Sequence, residues 1–189
     1  GYYGNPIVKT PCLDEMSRQA VRFDRFYAAA PVCSPTRGSC LTGRHPSRYG
    51  IHWVNDKALP AEEFTLAEAL RQVGYRTGHF GKWHLGTMTK TEKDGYLGGP
   101  EHPECYSPPW ENGFDVCFST EINVPLYNPA VWGNGQYPDN YGFFMDRPVE
   151  EGETPQMPGV YPWPSAFWTG PGQKVTSELK GPTPKLLMD

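Results

Sequence analysis

Two helix signals, each followed by an extended run and a loop rich in reactive residue types, constrain the fold of this chain most. In the first, Thr10 stands at a cap position and Pro11 at a first helical position, and Leu13, Met16 and Ala20 recur at helical spacing. An aromatic-rich run from Val21 to Tyr27 then suits a strand and delivers Cys33 on the loop that follows. In the second, Thr65 and Glu68 have capping-box spacing, and Leu66, Ala69, Leu70 and Val73 follow at i, i+3, i+4 and i+7 before Gly74. Tyr75 to Phe80 reads as a short strand that empties into Gly81-Lys82-Trp83-His84. Helix, strand and loop in alternation predict an α/β sheet flanked by helices. Functional groups in such sheets gather beyond the carboxyl ends of strands, where Lys82 and His84 would stand.

The run from Cys33 to Arg44, Cys-Ser-Pro-Thr-Arg-Gly-Ser-Cys-Leu-Thr-Gly-Arg, is a third helix signal. Ser34 is a good N-cap, Pro35 suits the first helical position, and Gly43 supplies a stop. Cys33 would then lie just outside a helix N-terminus, where free amides and the helix dipole favour a thiolate or a bound tetrahedral oxyanion. Arg37, one turn in, adds a positive fork for such an anion. The same residues also describe an inert core cysteine beside an ordinary capped helix, and these cues alone do not separate the two.

From about Gly95 the character changes: fifteen of the twenty-one prolines lie at or after residue 100, so this half should be loop-rich. The expected division is a motif-bearing α/β core over 1–94 and a Pro/Gly/aromatic segment over 95–189, both in one domain. Trp110, Trp132, Trp163 and Trp168 would either stack on sugars or anchor loops. A net charge of −4 and a pI near 5.7 argue against a general nucleic-acid binder, and no apolar run is long enough to span a bilayer. The cysteines Cys12, Cys33, Cys40, Cys105 and Cys117 lack zinc-ribbon spacing; Cys105 and Cys117 would either bridge or stay reduced. The chain opens at Gly1 without an initiator methionine or a visible secretory signal, as expected of a piece of something longer.

Cys33-x-Pro35-x-Arg37 followed by Leu41-Thr42-Gly43-Arg44 resembles the signature of the type I sulfatases, a family that includes arylsulfatases and N-acetylgalactosamine-6-sulfatases. A second block, Gly74 to Gly86 with its Gly-Lys-Trp-His-Leu-Gly end, is similar to the family's other signature. Gly1-Tyr2-Tyr3-Gly4-Asn5, Thr10-Pro11, Leu13-Asp14 and Asn112-Gly113-Phe114-Asp115 extend the likeness over roughly residues 1–129. The resemblance implies an alkaline-phosphatase-like α/β fold, here incomplete, and hydrolysis of aryl or carbohydrate sulfate esters.

It further implies that a formylglycine-generating enzyme oxidises Cys33 to formylglycine, an aldehyde whose hydrate attacks sulfur and then expels sulfate as the aldehyde re-forms. Arg37 would hold the hydrate and balance charge, against the plain alternative of a surface salt bridge. Lys82 would bind sulfate oxygens, or else be an exposed loop lysine. His84 would bind the hydrate or relay its proton with a pKa suited to that work, or else be structural. Trp83 reads as packing. Arg44, His45, His52 and His79 carry weaker signals: Arg44 belongs to the signature or else serves structure, and His52 would reach the substrate pocket, while Ser47, Arg48 and Tyr49 are candidates for shaping a pocket.

Family members also use a divalent cation, usually calcium, held by oxygen ligands. Of its ligands only Cys33, as formylglycine, maps onto this chain; the Asp-Asp pair and the remaining His and Lys of the site would lie outside it. The 189 residues alone are therefore expected to bind calcium poorly and to turn over no substrate. Family members are often exported to periplasm, lysosome or exterior, and the sequence does not choose among these. Two rival readings stay open: a phosphonate or phosphodiester hydrolase with the same machinery, and a non-catalytic relative that binds sulfated glycans.

Overall fold

The computed structural model describes residues 1, 3–92, 94, 99–122 and 166–175. The described chain is mixed α/β. Helices α1 (Pro11–Gln19), α2 (Cys33–Thr42), α3 (Pro46–Tyr49) and α4 (Leu66–Gln72) precede strand β1 (Gly78–Lys82). Two single 3-10 turns, Pro103–Cys105 and Pro109–Asn112, lead to β2 (Val116–Thr120), and β3 (Phe167–Trp168) completes a sheet of order β1-β2-β3. β1 and β2 are parallel, with Gly78 opposite Val116 and Lys82 opposite Thr120, and β3 returns antiparallel, placing Thr120 opposite Phe167.

Local chemistry explains where these elements begin and end. Thr65 and Glu68 form the full capping box that starts α4, the Glu68 amide donating to Thr65 Oγ1 at 3.1 Å and the Thr65 amide to Glu68 Oε2 at 2.7 Å. The second strand starts three residues later than the pattern suggests, because the Tyr75 amide turns back to the Leu70 carbonyl and is lost to the ladder. Pairing begins only past Thr77, which is tied to the start of β2 through Gly113 and Asp115.

The expected strand from Val21 to Tyr27 does not form. Val21, Phe23, Phe26 and Tyr27 are exposed and no ladder partner lies beside them among the described residues, and an extended run without a neighbour has nowhere to place its backbone donors. α1 begins at Pro11 as expected, yet Leu13 and Met16 are exposed and the helix buries no residue.

The core lies under the two signature blocks. Tyr49, Ile51, Leu59, Trp83, Leu85, Met88, Ala166 and Trp168 form one buried cluster, with Leu41, Trp110 and Phe114 packed against it. Asp94 fastens the returning segment to it: buried to 1 % exposure, its carboxylate accepts from the Ala166 amide at 3.0 Å and from Trp168 Nε1. Burial raises the Asp94 pKa to about 6 despite those two donors.

Trp168 is therefore a core residue rather than a sugar platform, and half-buried Trp110 donates to the Tyr106 hydroxyl at 3.0 Å as a loop anchor. Trp132 and Trp163 lie outside the described residues. Cys105 and Cys117 are both free thiols, so the bridge between them is not made; Cys117 is buried, which pushes its thiol up to about 11. No helix among the described residues is long and apolar enough to cross a membrane.

Candidate active site

α2 starts two residues earlier than its sequence suggests. Val32 is the N-cap, Cys33 is the first helical residue, and the Ser34 hydroxyl is buried without a partner among the described residues instead of capping. The shift is tolerated because a proline anywhere in the first turn removes only an amide that has no helical acceptor. Thr36 fixes the chain entering the helix, its hydroxyl donating to the Ala30 carbonyl at 2.6 Å and accepting from the Ala30 amide at 3.0 Å. Gly43, at φ 68°, ends the helix in the left-handed conformation.

The first turn of α2 is held against α3 by polar and steric fit. Tyr49 donates its hydroxyl to the Pro35 carbonyl and lies 2.9 Å from the Ser39 hydroxyl. Its ring lies so close that a Cβ on Gly38 would stand 2.8 Å from ring carbons, so only glycine fits there. Tyr49 is thus a support beneath the motif and not a pocket wall. Arg44 is structural as well: it pairs with buried Glu63.

This placement brings the motif residues together. The Cys33 side chain is exposed, and Lys82 Nζ lies 3.4 Å from its sulfur. Arg37 Nη1 donates to the Lys82 carbonyl at 2.6 Å, tying α2 to the carboxyl end of β1. Neither cation forms an ion pair among the described residues, which removes the surface salt bridge as an account of Arg37. Burial lowers the Arg37 pKa, opposed by its attraction to Cys33, and it stays a cation at any ordinary pH. Two positive groups thus flank an exposed sulfur at the end of a parallel strand, where a tetrahedral oxyanion would be neutralised.

Past β1 the chain continues the sheet for two residues, the Trp83 amide donating to the Thr120 carbonyl and the His84 amide to the Glu121 carbonyl at 2.7 Å. Trp83 is buried, with Nε1 bonded to the Ser107 carbonyl at 2.6 Å, so it is packing, as expected. His84 has φ 56°, a left-handed conformation unusual for a residue with a Cβ. Burial, then Lys82 and Arg37, push its pKa down to about 3. It is neutral at physiological pH and serves as a hydrogen-bonding imidazole; the expectation of a titration suited to proton relay near neutrality is not met.

The remaining histidines have other work. His79 is held near pKa 4 by burial and lies 2.7 Å from the Ser119 hydroxyl, edge-on to Trp83 and Phe114. His45 caps α3 through the Ser47 amide, and His52 is exposed. Among the described residues no group of three or more His, Cys, Asp or Glu side chains converges to hold a metal ion. Flanked by Lys82 and Arg37, Cys33 alone does not make a calcium site. A separate cleft of about 670 Å³, lined among others by Lys57, Lys90 and Tyr106, contains none of the four motif residues.

Comparison with known proteins shows which family the chain resembles. The family model described as Sulfatase matches residues 1–152. The chain is 47 % identical over 85 residues to an ulvan-active sulfatase of Formosa agariphila, covering 45 % of this chain and 16 % of that protein. It is 35 % identical over 141 residues to the human N-acetylgalactosamine-6-sulfatase, covering 67 % of this chain and 26 % of that protein. Among solved structures, a Bacteroides thetaiotaomicron protein from a core genetic locus for the metabolism of multiple glycosaminoglycans superimposes with TM-score 0.52 and 29 % identity, over 67 % of this chain and 26 % of that one. The chain thus spans about a quarter or less of the length of these relatives.

Proposed function

The chain belongs to the sulfatase family and has its alkaline-phosphatase-like α/β fold, and from this we propose that it carries part of the active site of a sulfuric ester hydrolase acting on an aryl or carbohydrate sulfate. The observation that carries the reading is the Cys33–Lys82 contact at 3.4 Å, with Arg37 bonded to the Lys82 carbonyl. Each signature block supplies one partner, and Cys33 and Lys82 are 49 residues apart in sequence. Modification suits Cys33, whose side chain is exposed at the start of a helix and meets a cation rather than a packed core. Oxidised to formylglycine and hydrated, position 33 supplies an oxygen nucleophile for sulfur.

The chain's own side chains do the rest of the work assigned here. Lys82 neutralises sulfuryl oxygens as a point charge, and Arg37 keeps the first turn of α2 docked on β1 while adding positive potential. Neutral His84 accepts or donates one hydrogen bond at the edge of the site. Oxygen ligands for calcium do not converge among the described residues, and no step is assigned to that ion.

Peptide mass spectrometry across position 33, on protein co-produced with a formylglycine-generating enzyme, tests the reading. An aldehyde at position 33, with faster turnover of an aryl sulfate than of an aryl phosphodiester by the full-length protein, is expected. An intact thiol would point to a sulfated-glycan binder, and a preference for the diester to a phosphodiester or phosphonate hydrolase.

A further inference from the structure

Among the described residues only two non-glycine positions have positive φ, Asn55 at 57° and His84 at 56°, and their side chains are bonded to each other. His84 Nε2 lies 2.8 Å from Asn55 Oδ1. An amide oxygen only accepts, so Nε2 carries the proton and Nδ1 keeps the free lone pair. Nδ1 is buried and has no partner among the described residues. A buried imidazole nitrogen left unpaired is costly, and strained backbone at both ends of one hydrogen bond is a second cost in the same place. Both costs are understandable if the pair holds an acceptor ready for a donor that arrives with the substrate or with the hydrated group at position 33.

We propose that Asn55 is a positioning residue that locks His84 as its Nε2–H tautomer and thereby presents Nδ1 as a hydrogen-bond acceptor in the sulfatase site. The inference rests on the sulfatase reading for its function, but the tautomer itself does not. Asn suits position 55 on two counts: it tolerates the left-handed backbone, and its short amide reaches Nε2 from there. Trp53 is exposed and Asn55 half-buried, and the bond to His84 ties this turn to the residues just past β1. No signal in either signature block marks Asn55, which lies 29 residues before its partner.

The test uses the full-length protein labelled with 15N-histidine. Asn55→Gly keeps the positive φ and deletes only the acceptor, whereas Asn55→Asp keeps an oxygen in the same place. Wild type and Asn55→Asp should show His84 as the Nε2–H tautomer, and Asn55→Gly a mixture. In turnover, Asn55→Gly should lose on the order of tenfold in kcat with little change in KM, and Asn55→Asp should recover most of it. A wild-type His84 protonated on Nδ1, or an unaltered Nε2–H tautomer in Asn55→Gly, overturns the proposal. Because the tautomer is read by resonance position, it is decided even if the protein turns over no sulfate ester.

Discussion

α1 and α2 invert the usual relation between pattern and burial. α1 carries apolar residues at helical spacing and buries none of them, whereas α2 is polar and glycine-containing and buries Ser34, Pro35 and Gly38. Periodicity creates a face but not a partner for it. α2 is held instead by specific fits: Thr36 to Ala30, Tyr49 to the Pro35 carbonyl, Gly38 under the Tyr49 ring, and Arg37 to the Lys82 carbonyl. Such fits tolerate little change, while an exposed apolar stripe tolerates much.

The contrast is easiest to break at the site. Cys33→Ser in the full-length protein should cut sulfate-ester turnover by at least about 10³-fold while leaving the folded state intact, because it removes the nucleophile's precursor from an exposed position. Circular dichroism alongside the assay separates the two effects. Lys82→Ala should cost about 10² to 10³-fold in kcat, as expected for removal of one charge-stabilising donor. A loss below tenfold would return Lys82 to the status of a loop lysine.

Stability sharpens the same comparison. Gly38→Ala forces a Cβ to within 2.8 Å of the Tyr49 ring and should destabilise by about 1 to 3 kcal/mol, read as a lower denaturation midpoint. Acid should act on the β1 end as well. His79 and His84 titrate near 4 and 3 in the folded chain but near the ordinary 6.5 when unfolded. Between those values the unfolded state binds the extra protons, so stability should fall as pH drops below about 6.5 and level off near 3. Denaturant titrations at pH 7 and pH 5 measure this, and equal midpoints would show the two rings to be solvated. In the 189-residue chain, Met16→Lys on exposed α1 should move the midpoint by less than about 0.5 kcal/mol.

What could be read in advance was local. The capping box of α4, Pro11 at the head of α1, and the arrival of Lys82 and His84 at a strand's carboxyl end each follow from neighbours in sequence. Cys33 meeting Lys82 was legible only because both belong to recognisable blocks. The rest depends on partners far along the chain. Val21 to Tyr27 has strand-forming side chains and, among the described residues, no strand to pair with, and Arg44 is structural because of Glu63, 19 residues on. The Ser34 cap failed by two positions, since proline in a first turn leaves the start of a helix loosely specified. Neutral His84 could not be foreseen, because its pKa is set by burial and by Lys82 and Arg37 together.

The staple from Asp94 to Ala166 and Trp168 has one more consequence. β2 and β3 are adjacent, so the polypeptide leaving Ile122 returns at Ala166 to a place fixed by the sheet and by a buried carboxylate. The Asp94 clasp thus fixes where β3 rejoins the sheet, and with it the setting of the β2 end that stands opposite Lys82.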